Sequence, residues 1–589
     1  MVSVLLAGLY IYSAKVSRRE KLVFTGTVVF LLISCNLNML DYIMHGFRYP
    51  NGLLFRFSFL ISFILVVAAY RAFLLTESAL AEAPPVSARD RRGILAMGIS
   101  AAVFLLAAVF GSQGKNSVIG SVVLCVFYLL VFYFFAGTRT VHHSYGMTRG
   151  RTALRTVFLL VVLTELSITS YIGVKTVGTT DRDTYPDRYE QIQALLDMRR
   201  PPGEAVGVEF YRTDIDGLRT FNESSLYNYN GLSFFSSITN VDVTRFMAGL
   251  GLPGHIRHNR YFYTETSPLT GAFLDMRYLI NREGYPADNG IYWETIGEAG
   301  DSLLLENRRY LPLGFMVNED ITGYVHNDNP FLSQNDLFRR VTGFDEDLFA
   351  IIDISAQGRK DERDRTVWGF KTPSDDMIYA YCEIDRNEML EIFNGAVLRS
   401  IPLAIVAPYI FTVGSFSRGD TVSLSLRTGN ASIYLGFLNS EIFERGYALL
   451  ADETLQLTQF TDTRVSGSVT ALKDGVLYTS IPGDKNWNVF VDGVKSKIVL
   501  IDNAMAAVHI KEGAHTVEFR YFNKSLTAGI IVSLASLAIF AALVLVQNRH
   551  PCRFCTLEFA TQTPLKAGGF CRKTAASMPP RRKQGKKEK

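Results

Sequence analysis

What this chain can fold into is constrained first by its long apolar runs. A helix needs about 20 apolar residues to cross a hydrocarbon layer of about 30 Å. Six stretches approach or meet that requirement, at 22–40, 53–75, 93–110, 117–136, 156–174 and 525–546. The opening run 1–14 is apolar too, yet at about 1.5 Å per residue it reaches only about 21 Å. Apolar residues follow Met1 directly, without the basic segment and small-residue cleavage site of a signal peptide. It is expected to be the remaining half of a helix whose beginning lies upstream.

Short loops rich in Lys and Arg stay on the cytoplasmic side. Lys15, Arg18, Arg19 and Lys21 fill the first loop, Arg89, Arg91 and Arg92 the third, and Arg139, Arg149, Arg151 and Arg155 the fifth. The alternate loops, 41–52 and 112–116, hold one basic residue each, Arg48 and Lys115. Odd loops are therefore expected inside. That choice puts residues 175–523 outside the cell and returns the chain, through 525–546, to a basic cytoplasmic tail ending PRRKQGKKEK.

Composition agrees with this class: 48% of residues are hydrophobic, only 20% are charged, and mean hydropathy is +0.14. A net charge of +4, with the basic residues gathered in loops and tail, implies no nucleic-acid partner. Cys382 is the single cysteine of the polar region, so no disulfide can staple that region internally. In the tail, Cys552, Cys555 and Cys571 with His550 have the minimum number of zinc ligands, but a reduced, free tail is the simpler reading.

The polar region divides in two on sequence pattern. Residues 177–337 mix a helix expected over 185–198 with short apolar stretches, an α+β arrangement. Residues 338–523 run through short alternating, β-branched segments separated by Gly, Asp and Asn, which suits an antiparallel β-sandwich. Within it, WNVFVDGVKSKIVLI is expected to form a hairpin turning at Asp492-Gly493. The fold expected is a membrane protein: a helical bundle over 1–176, an extracytoplasmic α+β part and β-sandwich, a closing transmembrane helix at 525–546 and a tail at 547–589.

Four segments together resemble the YfhO family of bacterial membrane proteins: HGFRYPNGLLFRFSFLISF, LYNYNGLSFFSSITNVDVTRFMAGLG, FLDMRYLI and the run from TSIPGDKNWNVF to SLTAGIIVS. The likeness extends over about residues 41–532. It implies a polytopic glycosyltransferase of the GT-C type, which moves a sugar from an undecaprenyl-phosphate carrier to an extracellular envelope polymer such as teichoic acid. In such enzymes a catalytic carboxylate lies in the first exterior loop. No acidic exterior loop precedes Leu22 here. The base is thus expected upstream of this chain, which would be a fragment or the product of a late start codon. A divalent cation is conceivable only for the complete enzyme, and no metal site is read in this chain.

Beside that resemblance, the loop 41–56 puts Asp41, His45, Arg48, Asn51 and Arg56 at the boundary of headgroups and water. Arg forms charge-assisted, bidentate hydrogen bonds with phosphate, so His45, Arg48 and Arg56 are candidates for holding the lipid phosphate, with Asp41 as a polar neighbour. The plainer alternative has the arginines snorkelling and His45 capping a turn. Glu165, deep in an apolar run, either lines a substrate cavity or makes a structural hydrogen bond to Asn36 or Asn38; the second is preferred. Tyr227, Asn228, Tyr229 and Asn230, leading into Phe234, Phe235, Ser236, Ser237 and Asn240, offer the aromatic and amide mixture of a glycan surface, though ordinary core explains them as well. No phosphate-cradling glycine loop, HExxH or GxSxG occurs. Two other classes compete: a non-enzymatic envelope protein that binds glycan or a partner, and a transporter coupled through Glu165. The second should carry internal repeats, and none is evident.

Overall fold

The computed structural model describes residues 1–47, 54–82, 88–110, 115–137, 146–179, 185–199, 208–237, 239–255, 259–284, 290–427 and 430–549. The chain divides into two compact units, Met1–Tyr521 and Phe522–Lys589.

The first unit opens with seven helices: α1 (Val2–Tyr12), α2 (Arg18–Ser34), α3 (Asn38–Met44), α4 (Phe59–Glu82), α5 (Ala88–Phe110), α6 (Lys115–Gly137) and α7 (Gly146–Thr176). Short as it is, α1 lies inside the bundle, with Leu5, Leu6 and Tyr10 buried between its neighbours. A Cβ on Gly8 would meet the Ala96 carbonyl oxygen at 2.7 Å, so glycine is what lets α1 and α5 approach this closely. Helix α2 starts on a reciprocal cap, where Ser17 Oγ accepts from the Glu20 amide (3.2 Å) and Glu20 Oε2 accepts from the Ser17 amide (3.3 Å). Glu20 then binds Arg71 on α4 at 2.7 Å.

The run 22–40 corrects its expected form: α2 and α3 meet at a bend of 105°. Leu37 is extended, and the Asn36 amide turns back to donate to the Leu32 carbonyl (2.8 Å), satisfying a helix-end acceptor that a continued helix would have used. Among the described residues, Arg56–Leu75, Arg92–Phe110, Ser117–Phe134, Thr156–Thr176 and Lys524–Val546 are long and apolar enough to cross a membrane, and the bent pair makes six if it counts as one span. Many of their apolar side chains are exposed, Phe110 at 84%, a surface suited to lipid.

The polar region begins with α8 (Tyr189–Met198) on a four-stranded sheet whose order is Arg212–Asp216, Met276–Asn281, Ser302–Asn307, Trp293–Ala299. The first pair is parallel and the others antiparallel. Side chains alternate across the sheet. Tyr278 and Ile280 pack with Ile192 and Leu195 of α8, whereas Leu279 joins the larger core on the other face. That larger core also takes in the short helices α9 to α13 in part: α9 (Glu223–Tyr227) stays with α8, and α10 (Val241–Gly249), α11 (Pro268–Phe273), α12 (Pro330–Thr342) and α13 (Ser440–Ala451) supply Phe246, Phe273, Phe331 and Phe443.

Two β-sandwiches follow where one was expected. The first closes Phe349–Asp353, Ala431–Leu438, Met377–Ile384 and Ile410–Ser415 over a five-stranded sheet around Trp368, Ile378, Leu390 and Leu424. The second packs the sheet containing Arg464–Ala471 and Gly513–Tyr521 on Val499–Ile501, Met505–Ile510, Gly475–Pro482 and Gly314–Val317. This last strand comes from the part read as α+β, and the expected boundary at 337/338 falls inside α12. Asp492 (φ +50°) and Gly493 (φ +78°) turn the hairpin Trp487–Val491 to Val494–Ser496 as expected, but Val499–Ile501 leaves it for the facing sheet. Cys382 is buried and free.

In the second unit α14 (Lys524–Arg549) is capped by Asn523, whose Oδ1 accepts from the Leu526 amide at 2.9 Å.

Candidate functional site

Helix α3 places Asp41 and His45 one turn apart, on the same face. His45 Nδ1 lies 2.8 Å from the Asp41 carbonyl oxygen and 3.2 Å from Asp41 Oδ1. Its Nε2 accepts from the Arg56 amide at 3.4 Å, which assigns the proton to Nδ1. The ring stands edge-on to the buried Phe57, 5.7 Å between centroids. The chain returns to the helices through Phe55, in the left-handed region at φ +55°, and a single 3-10 turn at Arg56–Ser58. From that turn the exposed Arg56 side chain reaches the polar region, where its Nη2 donates to Ser237 Oγ at 2.9 Å.

Asp41, His45 and Arg56 are thus brought together, and Ser237 joins them from 181 residues away. Arg48 and Asn51 lie outside the described residues, as do His550 and the tail cysteines. A guanidinium on a hydroxyl, with an imidazole on the backbone of the same arginine, at the first turn of an apolar helix, is chemically equipped for an anion held at a headgroup. Among the described residues no three His, Cys, Asp or Glu side chains come together to hold a metal ion.

Glu165 lies apart from this cluster. Its carboxylate accepts from Tyr128 Oη at 2.6 Å and from the Met1 amino group at 2.5 Å, which corrects the expectation of Asn36 or Asn38 as partners. Asn36 is turned to its own helix, and the tyrosine that took its place, buried among apolar residues of α6, gave no sequence signal of its own.

Of the two readings of residues 227–230, glycan surface or ordinary core, the two tyrosines lie in core. Tyr227 and Tyr229 are 2% and 9% exposed and belong to the core beneath α8, with Tyr227 stacked on Tyr189. Burial drives the Tyr229 phenol far above its ordinary range. Asn228 caps α9 at φ +58°, and the Asn230 carbonyl accepts from the Thr213 amide. A sugar needs an open ring face, and these rings are covered.

Sequence reasoning missed the buried ionisable groups of the same region. Asp214 is inaccessible and accepts from the amides of Ile215, Leu232 and Ser233 at 2.7–3.1 Å. Burial outweighs those donors and pushes its carboxyl up to about 6. Asp275, also inaccessible and at φ +58°, has no hydrogen-bond partner on either carboxyl oxygen among the described residues, and burial lifts it well above the carboxylate range. Asp214 thereby fixes Leu232 and Ser233 on the strand Arg212–Asp216.

A model of the family described as "Bacterial membrane protein YfhO" matches residues 1–533. No curated protein matches the chain. Among solved structures, the chain is similar to the arabinofuranosyltransferase AftD from Mycobacteria, at 14% identity and a TM-score of 0.14, over 29% of this chain and 15% of that one. It is similar to a Paenibacillus cycloisomaltooligosaccharide glucanotransferase at 9% identity and a TM-score of 0.12, over 26% and 40%. A cupin-barrel protein from Leptotrichia buccalis matches at 12% identity and a TM-score of 0.09, over 30% and 89%. The chain therefore spans well under half the length of the first two.

Proposed function

Because the chain belongs to the YfhO family of bacterial membrane proteins, we propose that it is a membrane glycosyltransferase, with a carrier lipid held at its helices and an acceptor met by its polar region. In this reading a sugar passes from undecaprenyl phosphate to an extracellular envelope polymer such as teichoic acid. The polar region faces away from the cytosol, as the Lys and Arg of the odd loops favour, and the tail after α14 lies inside.

The observation that carries the proposal is the bond from Arg56 to Ser237, because it joins the start of an apolar span to the polar region at one polar point. The carrier phosphate would bind there. Arg56 supplies a fork of donors and permanent charge and Arg48 a second cation from the same loop; His45, held by Asp41 on one side and the Arg56 amide on the other, offers phosphate a donor only when Nε2 is protonated and gives up the Arg56 amide. Ser237 then hands over a donor when phosphate displaces its own bond to Arg56.

Sugar analysis of the envelope polymer in cells carrying the chromosomal Arg56→Ala change tests this. Loss of the sugar is expected, with partial retention in Arg56→Lys, which keeps the charge without the fork. Full glycosylation in Arg56→Ala, in protein shown to be inserted, would reject the phosphate role.

A further inference from the structure

The polar region carries a small three-stranded sheet, in the order Phe234–Phe235, Arg260–Tyr261, Gly254–His255. Its edge strand holds two large apolar rings in the open, Phe234 41% and Phe235 44% exposed. This is a fixed edge, because the Asn222 side chain clamps Phe235 at both backbone groups: its Nδ2 donates to the Phe235 carbonyl (3.0 Å) and its Oδ1 accepts from the Phe235 amide (2.9 Å). Arg260 stands across from Phe235 in the register, with its guanidinium 4.7 Å over the Phe221 ring.

The location of this edge decides its meaning. Two residues beyond Phe235, Ser237 accepts from Arg56, the first residue of the apolar span Arg56–Leu75. Two residues of chain reach at most about 7 Å. Phe235 is therefore held close to the level at which a membrane span begins. On the helical side, Phe47 and Leu54 are exposed beside the same loop.

We infer that the Phe234–Phe235 edge is a membrane-interface anchor, which rests the polar region on the lipid surface with its rings among the headgroups and Arg260 directed to lipid phosphate. Aromatic rings concentrate at that depth, and Arg binds phosphate there. A glycan fits the edge less well, since the neighbouring amide, Asn222, already gives one donor and one acceptor bond to the backbone of Phe235. The inference does not depend on sugar transfer, so an inactive Arg56 variant leaves it standing.

Fluorescence of the full chain reconstituted in phosphatidylethanolamine–phosphatidylglycerol vesicles tests it. The native tryptophans are three, of which Trp293 and Trp368 are buried, so the signal of Phe235→Trp is read as the difference from the parent. The added tryptophan should be quenched by lipid bearing a headgroup nitroxide and shielded from aqueous iodide. Val494→Trp, on an exposed hairpin turn, should show the reverse. Iodide quenching of Phe235→Trp equal to that of Val494→Trp, without quenching by the labelled lipid, would overturn the anchor. So would shielding from iodide in detergent that appears only on addition of soluble teichoic-acid polymer, which would make the edge a glycan contact. Phe234→Trp is the second probe, read in the same way, should the first variant not be recovered folded.

Discussion

The guanidinium of Arg282 and the carboxylate of Glu223, 0% and 1% exposed, meet through two parallel hydrogen bonds of 3.1 Å each. Arg282 Nη1 also donates to the Gly217 carbonyl (2.9 Å), and Glu223 accepts from the Arg219 amide (2.9 Å), so the pair joins α9, the loop before it and the end of a central strand. Removing one partner strands the other charge away from water, at a typical loss of about 3–5 kcal/mol. Glu223→Gln should destabilise the polar region by that order. All three tryptophans lie in this region, so thermal unfolding followed by their fluorescence reads it. An unchanged midpoint would mean that water reaches the pair.

Asp214 gives the region a pH dependence of definite sign. Its folded-state carboxyl lies near 6, above the ordinary 3.8. The stability this group contributes is fully present below about pH 4 and is lost as pH rises through about 6, because only the folded state still holds the proton across that interval. Parent and Asp214→Asn should therefore differ in stability by an amount that changes between pH 4 and 6 and is level above it. Parallel curves across the interval would contradict the burial argument.

At Asp275 the conformation and the chemistry can be separated. Asparagine tolerates the left-handed backbone found there, so Asp275→Asn keeps the turn and removes the ionisable group. The folded carboxyl is raised by burial and finds no hydrogen bond, so the parent loses stability as pH rises through that raised value. Unfolding at pH 3, below the ordinary carboxyl value of 3.8, should be nearly the same in the two proteins, and at pH 9 the asparagine variant should be the more stable. An equal difference at both values would show that the turn, not the charge, matters.

The sequence was most legible where one local property decides the structure. Lengths of apolar run located the helices, since a span needs no information from elsewhere in the chain. Asp492-Gly493 marked its hairpin because few residues accept two positive φ angles in succession. Hydropathy averaged over 22–40 concealed the break at Asn36, whose single side-chain bond redirects the chain. Strand patterns showed β structure without saying what pairs with what: Phe315 of an apparently mixed region lies opposite Tyr478, and one expected sandwich became two. Tyr227 and Tyr229 look like a binding surface in sequence only because the sheet that covers them is made elsewhere. In the same way His45 and Arg56 could be named from their loop, whereas the choice of Ser237 as their partner depended on tertiary contact.

Retention of a lipid-linked sugar by the purified chain is the decisive measurement. Native mass spectrometry from detergent, with an undecaprenyl-phosphate-linked sugar added, should show a bound carrier on the parent, weaker binding on Arg56→Lys, and none on Arg56→Ala at the same protein and lipid concentrations. Equal carrier binding by the parent and Arg56→Ala would contradict a phosphate site at Arg56.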